Sequence, residues 1–133
     1  MAKRVYVFES STLGIHGRGN AKTAVQKHGA QFGKSYGHYG DSFAIPTIDE
    51  WSEILSLTHI MYYVAGFLAY AKDKRKLNFK ITRVGCDEAG YTDQQMAELF
   101  KLGGETPPAN CLFDEKWRPY LGDDVNYWGT TPR

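Results

Sequence analysis

Apolar and polar positions follow one another along the chain in blocks that read in turn as strand, loop and helix. Val5-Tyr6-Val7-Phe8 is a run of β-branched and aromatic residues that stops at Glu9-Ser10-Ser11-Thr12, which predicts a buried strand ending in a polar loop. The loop continues through Gly14-Ile15-His16-Gly17-Arg18-Gly19-Asn20. Residues 21–30 then predict a helix, with Ala21, Ala24, Val25 and His28 on one face and Gly29 as its stop. Residues 31–41 scatter Gly33, Gly37 and Gly40 among Phe32, Tyr36 and Tyr39, a spacing that fits no regular element and reads as a surface loop. Ser42-Phe43-Ala44-Ile45 predicts a second strand, closed by Pro46, which cannot donate to a sheet ladder.

Helical periodicity is strongest after Thr58, a good N-cap, where Ile60, Tyr63, Val64, Phe67, Leu68 and Ala71 share one face. Lys72, Lys74, Arg75 and Lys76 mark its end, since cations suit the negative pole of a helix. Phe79, Ile81 and Val84 then line a predicted strand over residues 78–84. Beyond it lies the loop Gly85-Cys86-Asp87-Glu88-Ala89-Gly90-Tyr91. Thr92 and Gln95 form a capping box for a helix reaching to about Leu102, and Cys111-Leu112-Phe113 predicts a last strand. Residues 114–133, with Trp117, Tyr120, Tyr127 and Trp128, are too aromatic for a free tail and are expected to pack back as an extension. Such alternation predicts a single α/β domain over residues 1–133, its sheet covered on both faces in three α/β/α layers.

Composition narrows the field. With 42% hydrophobic, 14% aromatic and 23% charged residues, the chain can bury a true core and is not disordered. Its 16 Lys and Arg against 15 Asp and Glu leave a net charge of +1, which argues against nucleic acid as a partner, because that affinity needs many phosphate contacts. Cys86 and Cys111 fit no metal spacing and read as reduced thiols of a cytoplasmic protein. The most apolar window, residues 60–71, is shorter than the roughly 20 residues that cross a bilayer, so no membrane partner is expected.

In an open α/β sheet the ligand crevice lies beyond the carboxyl ends of the strands, so the two glycine-bearing loops should meet there. Glycine amides and a helix N-terminus can hold phosphate without much positive charge, although the same glycines also serve ordinary turns. Neither GxxxxGK[ST] nor GxGxxG occurs, which removes P-loop ATP hydrolysis. His16 and Arg18 lie in the first loop as candidate phosphate contacts, while His28, His38 and His59 are scattered, so no metal or cofactor is expected. Asp87 and Glu88 are candidate general bases or ribose ligands. Asp93 falls in the first turn of a helix, where an acid is favoured anyway.

At these loops the chain resembles macro domains, an ADP-ribose-binding fold. The segment Glu9-Ser10-Ser11-Thr12-Leu13-Gly14-Ile15-His16-Gly17-Arg18-Gly19-Asn20-Ala21-Lys22-Thr23-Ala24 is similar to the family's first strand end, glycine loop and helix entry. Ser42-Phe43-Ala44-Ile45-Pro46-Thr47 resembles its central strand, and Ile81-Thr82-Arg83-Val84-Gly85-Cys86-Asp87-Glu88-Ala89-Gly90-Tyr91 its phosphate-binding loop. The resemblance spans residues 4–113 and is greatest to small phage and bacterial members, which would place a phage-encoded chain in the host cytoplasm. It implies a mixed, mostly parallel sheet and a bound ADP-ribose or related phosphorylated nucleotide, sequestration being one use. The loop of Gly14, Ile15, His16, Gly17, Arg18, Gly19 and Asn20 would hold the distal ribose and one phosphate; Glu9 and Thr47 are further candidate ligand residues, although the paired asparagines that give the family its ribose role at the end of the first strand are replaced around Glu9 and Ser10. The amides of Gly85, Cys86, Asp87, Glu88, Ala89, Gly90 and Tyr91 would cradle the diphosphate. An alternative is an ADP-ribosyl glycohydrolase using Asp87, Glu88 or Asp49 as base; Ile48-Asp49 stands where a subgroup of the family has a nucleophilic lysine. A further alternative is a non-catalytic interaction module, possible as an oligomer, whose contact surface is the Phe32 to Tyr39 loop and the aromatic C-terminus.

Overall fold

A computed structural model describes residues 3–14, 19–101 and 104–130. The strand β1 (Lys3–Ser11) lies at the centre of the sheet because both of its faces are apolar: Val5 and Val7 point to one side, Tyr6 and Phe8 to the other. It pairs in parallel with β3 (Ser42–Ile48) and with β4 (Leu77–Ile81). Beyond β4 the sheet continues in parallel through β5 (Cys111–Asp114) and β6 (Asn126–Gly129), while the short β2 (Gly37–Tyr39) closes the other edge antiparallel to β3. The order is β2-β3-β1-β4-β5-β6.

Helices cover both faces, giving a single α/β domain of three layers, as the alternation predicts. On one face α2 (Leu57–Asp73) buries Ile60, Val64, Phe67 and Ala71 against Phe43, Phe79 and Ile81. The helix α3 (Asp93–Leu99) adds Met96 and Ala97 to that same core, which Phe100, Phe113 and Trp117 complete. Fully burying each such large side chain contributes about 1.5–3 kcal/mol. On the opposite face α1 (Gly19–His28) packs over a much smaller cluster of Tyr6, Phe8, Ala24, Ala30 and Ala44. The connection from β1 through α1 leads to β3 on one side of β1. That from β3 through α2 crosses back to β4 on the other side, so the chain reverses direction about β1.

Several boundaries differ from the sequence reading, each for a local reason. Ser56 rather than Thr58 caps α2, its hydroxyl accepting from the His59 amide at 3.1 Å. β3 runs on through Pro46 to Ile48, and the missing N–H is tolerated because the ladder slips just there, between Ser10 and Ser11. β4 ends at Ile81, not Val84: the amide and hydroxyl of Thr82 both donate to the Val7 carbonyl, at 3.1 and 2.7 Å, and Val84 N turns back to Thr82 O at 2.7 Å. Residues 37–39, read as loop, are the edge strand β2, joined to β3 by a turn in which Gly40 (φ +58°) lies directly against the Gly29 backbone. α1 begins two residues early, at Gly19, and α3 stops at Leu99, short of Leu102.

The aromatic C-terminal segment is more than a cover. A 3-10 turn at Glu115–Trp117 and the short helix α4 (Arg118–Leu121) lead into β6, a strand of the sheet itself. Cys86 and Cys111 are both free, and burial pushes each thiol up to about 12. Among the described residues no helix is long and apolar enough to cross a membrane.

Candidate functional site

A cleft of about 520 Å³ opens at the carboxyl ends of β1 and β3, between the amino end of α1 and the loop at residues 85–91. Its floor is Glu9, the residue at which the apolar run of β1 gives out. Only 8% exposed, Glu9 accepts from the Thr47 hydroxyl at 2.8 Å, from the Asp87 amide at 3.0 Å and from the amide of Ala89. Burial raises its pKa above the ordinary carboxyl value, and the nearby Asp87 charge adds to that, outweighing the bonds that favour the carboxylate.

The two glycine-bearing loops meet as predicted. Asp87 Oδ2 lies 2.6 Å from where a β-carbon on Gly19 would stand, and Gly19 (φ +51°) is the first residue of α1. An acidic side chain therefore occupies the amino end of that helix, where the backbone dipole favours negative charge. Below it the 85–91 loop is pinned from inside. Gly85 (φ +83°) sits against Met96, Ala89 is buried, and the Tyr91 hydroxyl donates to Leu55 O at 2.6 Å.

Amides in this loop divide into two sets. Those of Cys86, Asp87, Ala89 and Tyr91 donate to protein acceptors, while those of the buried Gly85 and the exposed Glu88 and Gly90 have none among the described residues. No atom lies within 4 Å of a β-carbon placed on Gly90 (φ +75°), so the crest of the loop is open.

The remaining predicted residues divide similarly. Asn20 lines the cleft with its Oδ1 held by the Tyr6 hydroxyl at 2.9 Å. Asp49 also lines it, but its Oδ1 accepts from the amides of Trp51 and Glu53 at 2.8 and 2.9 Å, which closes a turn. Thr47 is buried and serves Glu9. Gly14 packs on the backbone of Gly33 and Lys34 and accepts from Gly33 N at 2.9 Å, a turn contact rather than a ligand contact. The half-buried Cys86 borders Asp93 below the loop. Ile15, His16, Gly17 and Arg18 lie outside the described residues. His28 stacks on Tyr6 at 4.3 Å, His38 bonds Tyr70, and His59 stacks on Tyr63, all away from the cleft.

Sequence reasoning missed Glu50, which lines the cleft and accepts from the Thr12 hydroxyl at 2.9 Å. With Glu9, Asp49, Asp87 and Glu88 it makes the cleft wall acidic, and no Lys, Arg or His is among the described residues lining it. These carboxylates are acceptors suited to sugar hydroxyls, and among the described residues no His, Cys, Asp or Glu group could hold a metal ion. A larger hollow of about 810 Å³ lies at the opposite end of the strands, between α2 and residues 105–110. The Asn110 side-chain nitrogen there donates to the carbonyls of Ala71, Lys74 and Leu77, so it locks loops together.

Comparison of the chain with protein-family models, with curated proteins and with solved structures finds no match in any of the three.

Proposed function

We propose that this is a macro-domain-like module that binds ADP-ribose, or a related phosphorylated nucleotide, in the cleft above β1. The observation that carries this reading is the site's position. The cleft opens at the carboxyl end of the strand about which the chain reverses, where open α/β sheets bind ligands; Glu88, with its unpaired amide, lines it, and the unpaired amide of Gly90 follows two residues on in the same loop. Phosphate oxygens take those two amides. Ribose hydroxyls donate to the acidic wall, which holds five carboxylates and so favours the sugar over additional phosphate.

Calorimetric titration with ADP-ribose, NAD, AMP and a cyclic dinucleotide tests the proposal. Saturable binding of ADP-ribose that Gly90→Glu abolishes is the expected result; no binding by any of the four overturns it. The glycohydrolase alternative requires in addition turnover that Asp87→Asn or Glu88→Gln removes while the ligand is still held.

A second reading, a protein-interaction module, draws on a different observation. Leu13, Phe32, Trp51 and Ile54 are large apolar side chains left half exposed or more, on the loops beside the same end of the sheet. A partner complex that persists in Gly90→Glu would favour it.

A further inference from the structure

Trp51 is 78% exposed, whereas Trp117 is fully buried and Trp128 is half-buried with its indole N–H bonded to Ile81 O at 2.8 Å. No ring, cation or hydrogen-bond partner meets the Trp51 side chain among the described residues. Yet the turn carrying it is held firmly. Asp49 binds the amides of Trp51 and Glu53, Asp49 N donates to Glu53 O at 2.8 Å, and Leu55 N donates to Thr47 O at 2.9 Å. Ile48 and Ile54 bridge across the base of the turn, and Thr12 ties Glu50 to the end of β1. Ser52 carries the sole positive φ of a non-glycine residue among those described, +63°, a conformation the surrounding bonds must enforce. Both chain neighbours of Trp51, Glu50 and Ser52, line the cleft. A strained, over-determined turn thus presents a flat apolar ring to water between two residues that line the cleft.

We infer that Trp51 is the stacking platform for the planar base of the nucleotide held in the cleft. The inference rests on the nucleotide-binding reading and adds to it the element that selects for a base. An aromatic face accepts any base, so it supplies affinity with little discrimination among bases. Asp49 holds the backbone of the turn that carries it, so little ordering of the loop is lost on binding.

Titration of wild type, Trp51→Ala and Trp51→Phe with ADP-ribose and with ribose 5-phosphate, which lacks a base, decides the matter. Stacking predicts that Trp51→Ala weakens ADP-ribose by about tenfold or more, that Trp51→Phe keeps most of the affinity, and that ribose 5-phosphate binds all three proteins alike. Equal ADP-ribose affinity in wild type and Trp51→Ala overturns the inference and leaves the nucleotide site standing. Equal weakening of both ligands also overturns it, since the ring would then shape the pocket rather than meet the base. Failure of wild type to bind ADP-ribose overturns the underlying reading as well. Unchanged thermal melting of both variants shows that the fold is intact.

Discussion

The two strand–loop–helix units that meet at the cleft, β1 with α1 and β4 with α3, share a local pattern but are held by very different means. In the second, Arg83 grips Asp93 with two bonds of 2.7 Å, the buried Trp117 donates its indole N–H to the same carboxylate at 2.8 Å, and the Thr92–Gln95 capping box closes the helix. In the first, α1 buries only Ala24, has no acid in its first turn, and rests on the small cluster rich in alanine. What joins it to the sheet is Tyr6, stacked on His28 and bonded to Asn20. Rigidity at this edge thus comes from tertiary partners and not from the loops themselves. The 85–91 loop is the fixed wall of the cleft and α1 its lightly held one.

The largest test of that contrast is Trp117→Ala, which empties a fully buried site and strips a bond from Asp93. A loss of about 3–5 kcal/mol is expected in urea unfolding. A loss below about 1 kcal/mol would show that the C-terminal segment merely leans on the wall. Asp93→Asn comes next. The Arg83–Asp93 pair is a quarter exposed, so the charge-assisted bonds are discounted for solvent and the cost is about 1–2 kcal/mol. Burial alone would raise the Asp93 pKa, but the bonds from Arg83 and Trp117 outweigh it and hold the carboxyl below its ordinary value of 3.8. Its stabilisation is therefore complete above 3.8 and lost as pH falls through the depressed value, so the gap between wild type and variant must shrink in acid.

On the lighter side, Tyr6→Phe removes the bond to Asn20 and should cost about 1 kcal/mol. Amide exchange gives the sharper readout. Protection should fall across α1 and stay level in α2 and α3, and a uniform fall would erase the distinction between the two walls.

Much of this architecture was legible in the chain. Apolar runs announced β1 and the core face of α2, and Thr92 with Gln95 announced α3, because those signals are local. β2 was hidden, since three residues beside glycines carry no periodicity and acquire strand geometry only by pairing with β3. β6 was hidden for a related reason: Asn126–Gly129 becomes a strand when Leu112 and Phe113 supply its ladder partners. At the site, Asp87 and Glu88 could be named from their place after a strand, and Glu9 from its place where the apolar run of β1 stops, although β1 itself continues to Ser11. The division of the 85–91 amides into bonded and unbonded sets could not, because two of the bonded ones, Asp87 and Ala89, depend on Glu9 reaching across from another strand.

Glu9→Gln addresses that division directly and has the smallest expected effect, under about 1 kcal/mol at neutral pH. The amide side chain keeps an oxygen for the Asp87 N–H and can offer its NH₂ to the Thr47 hydroxyl, which is free to rotate and accept. What the substitution removes is the charge. Because burial raises the Glu9 pKa above its ordinary 4.5, folding binds a proton between that value and the raised one, and wild-type stability is lost as pH rises through this window. Urea unfolding across that range should show wild type losing ground against Glu9→Gln, then running parallel to it above the raised value. A variant that instead loses ground as pH rises would mean that the carboxylate's bonds outweigh its burial. If the expected result is found and the variant still binds ADP-ribose, Glu9 orients the loop by shape alone. The unpaired amides of Glu88 and Gly90, which the proposal assigns to phosphate, then stand without that charge beneath them.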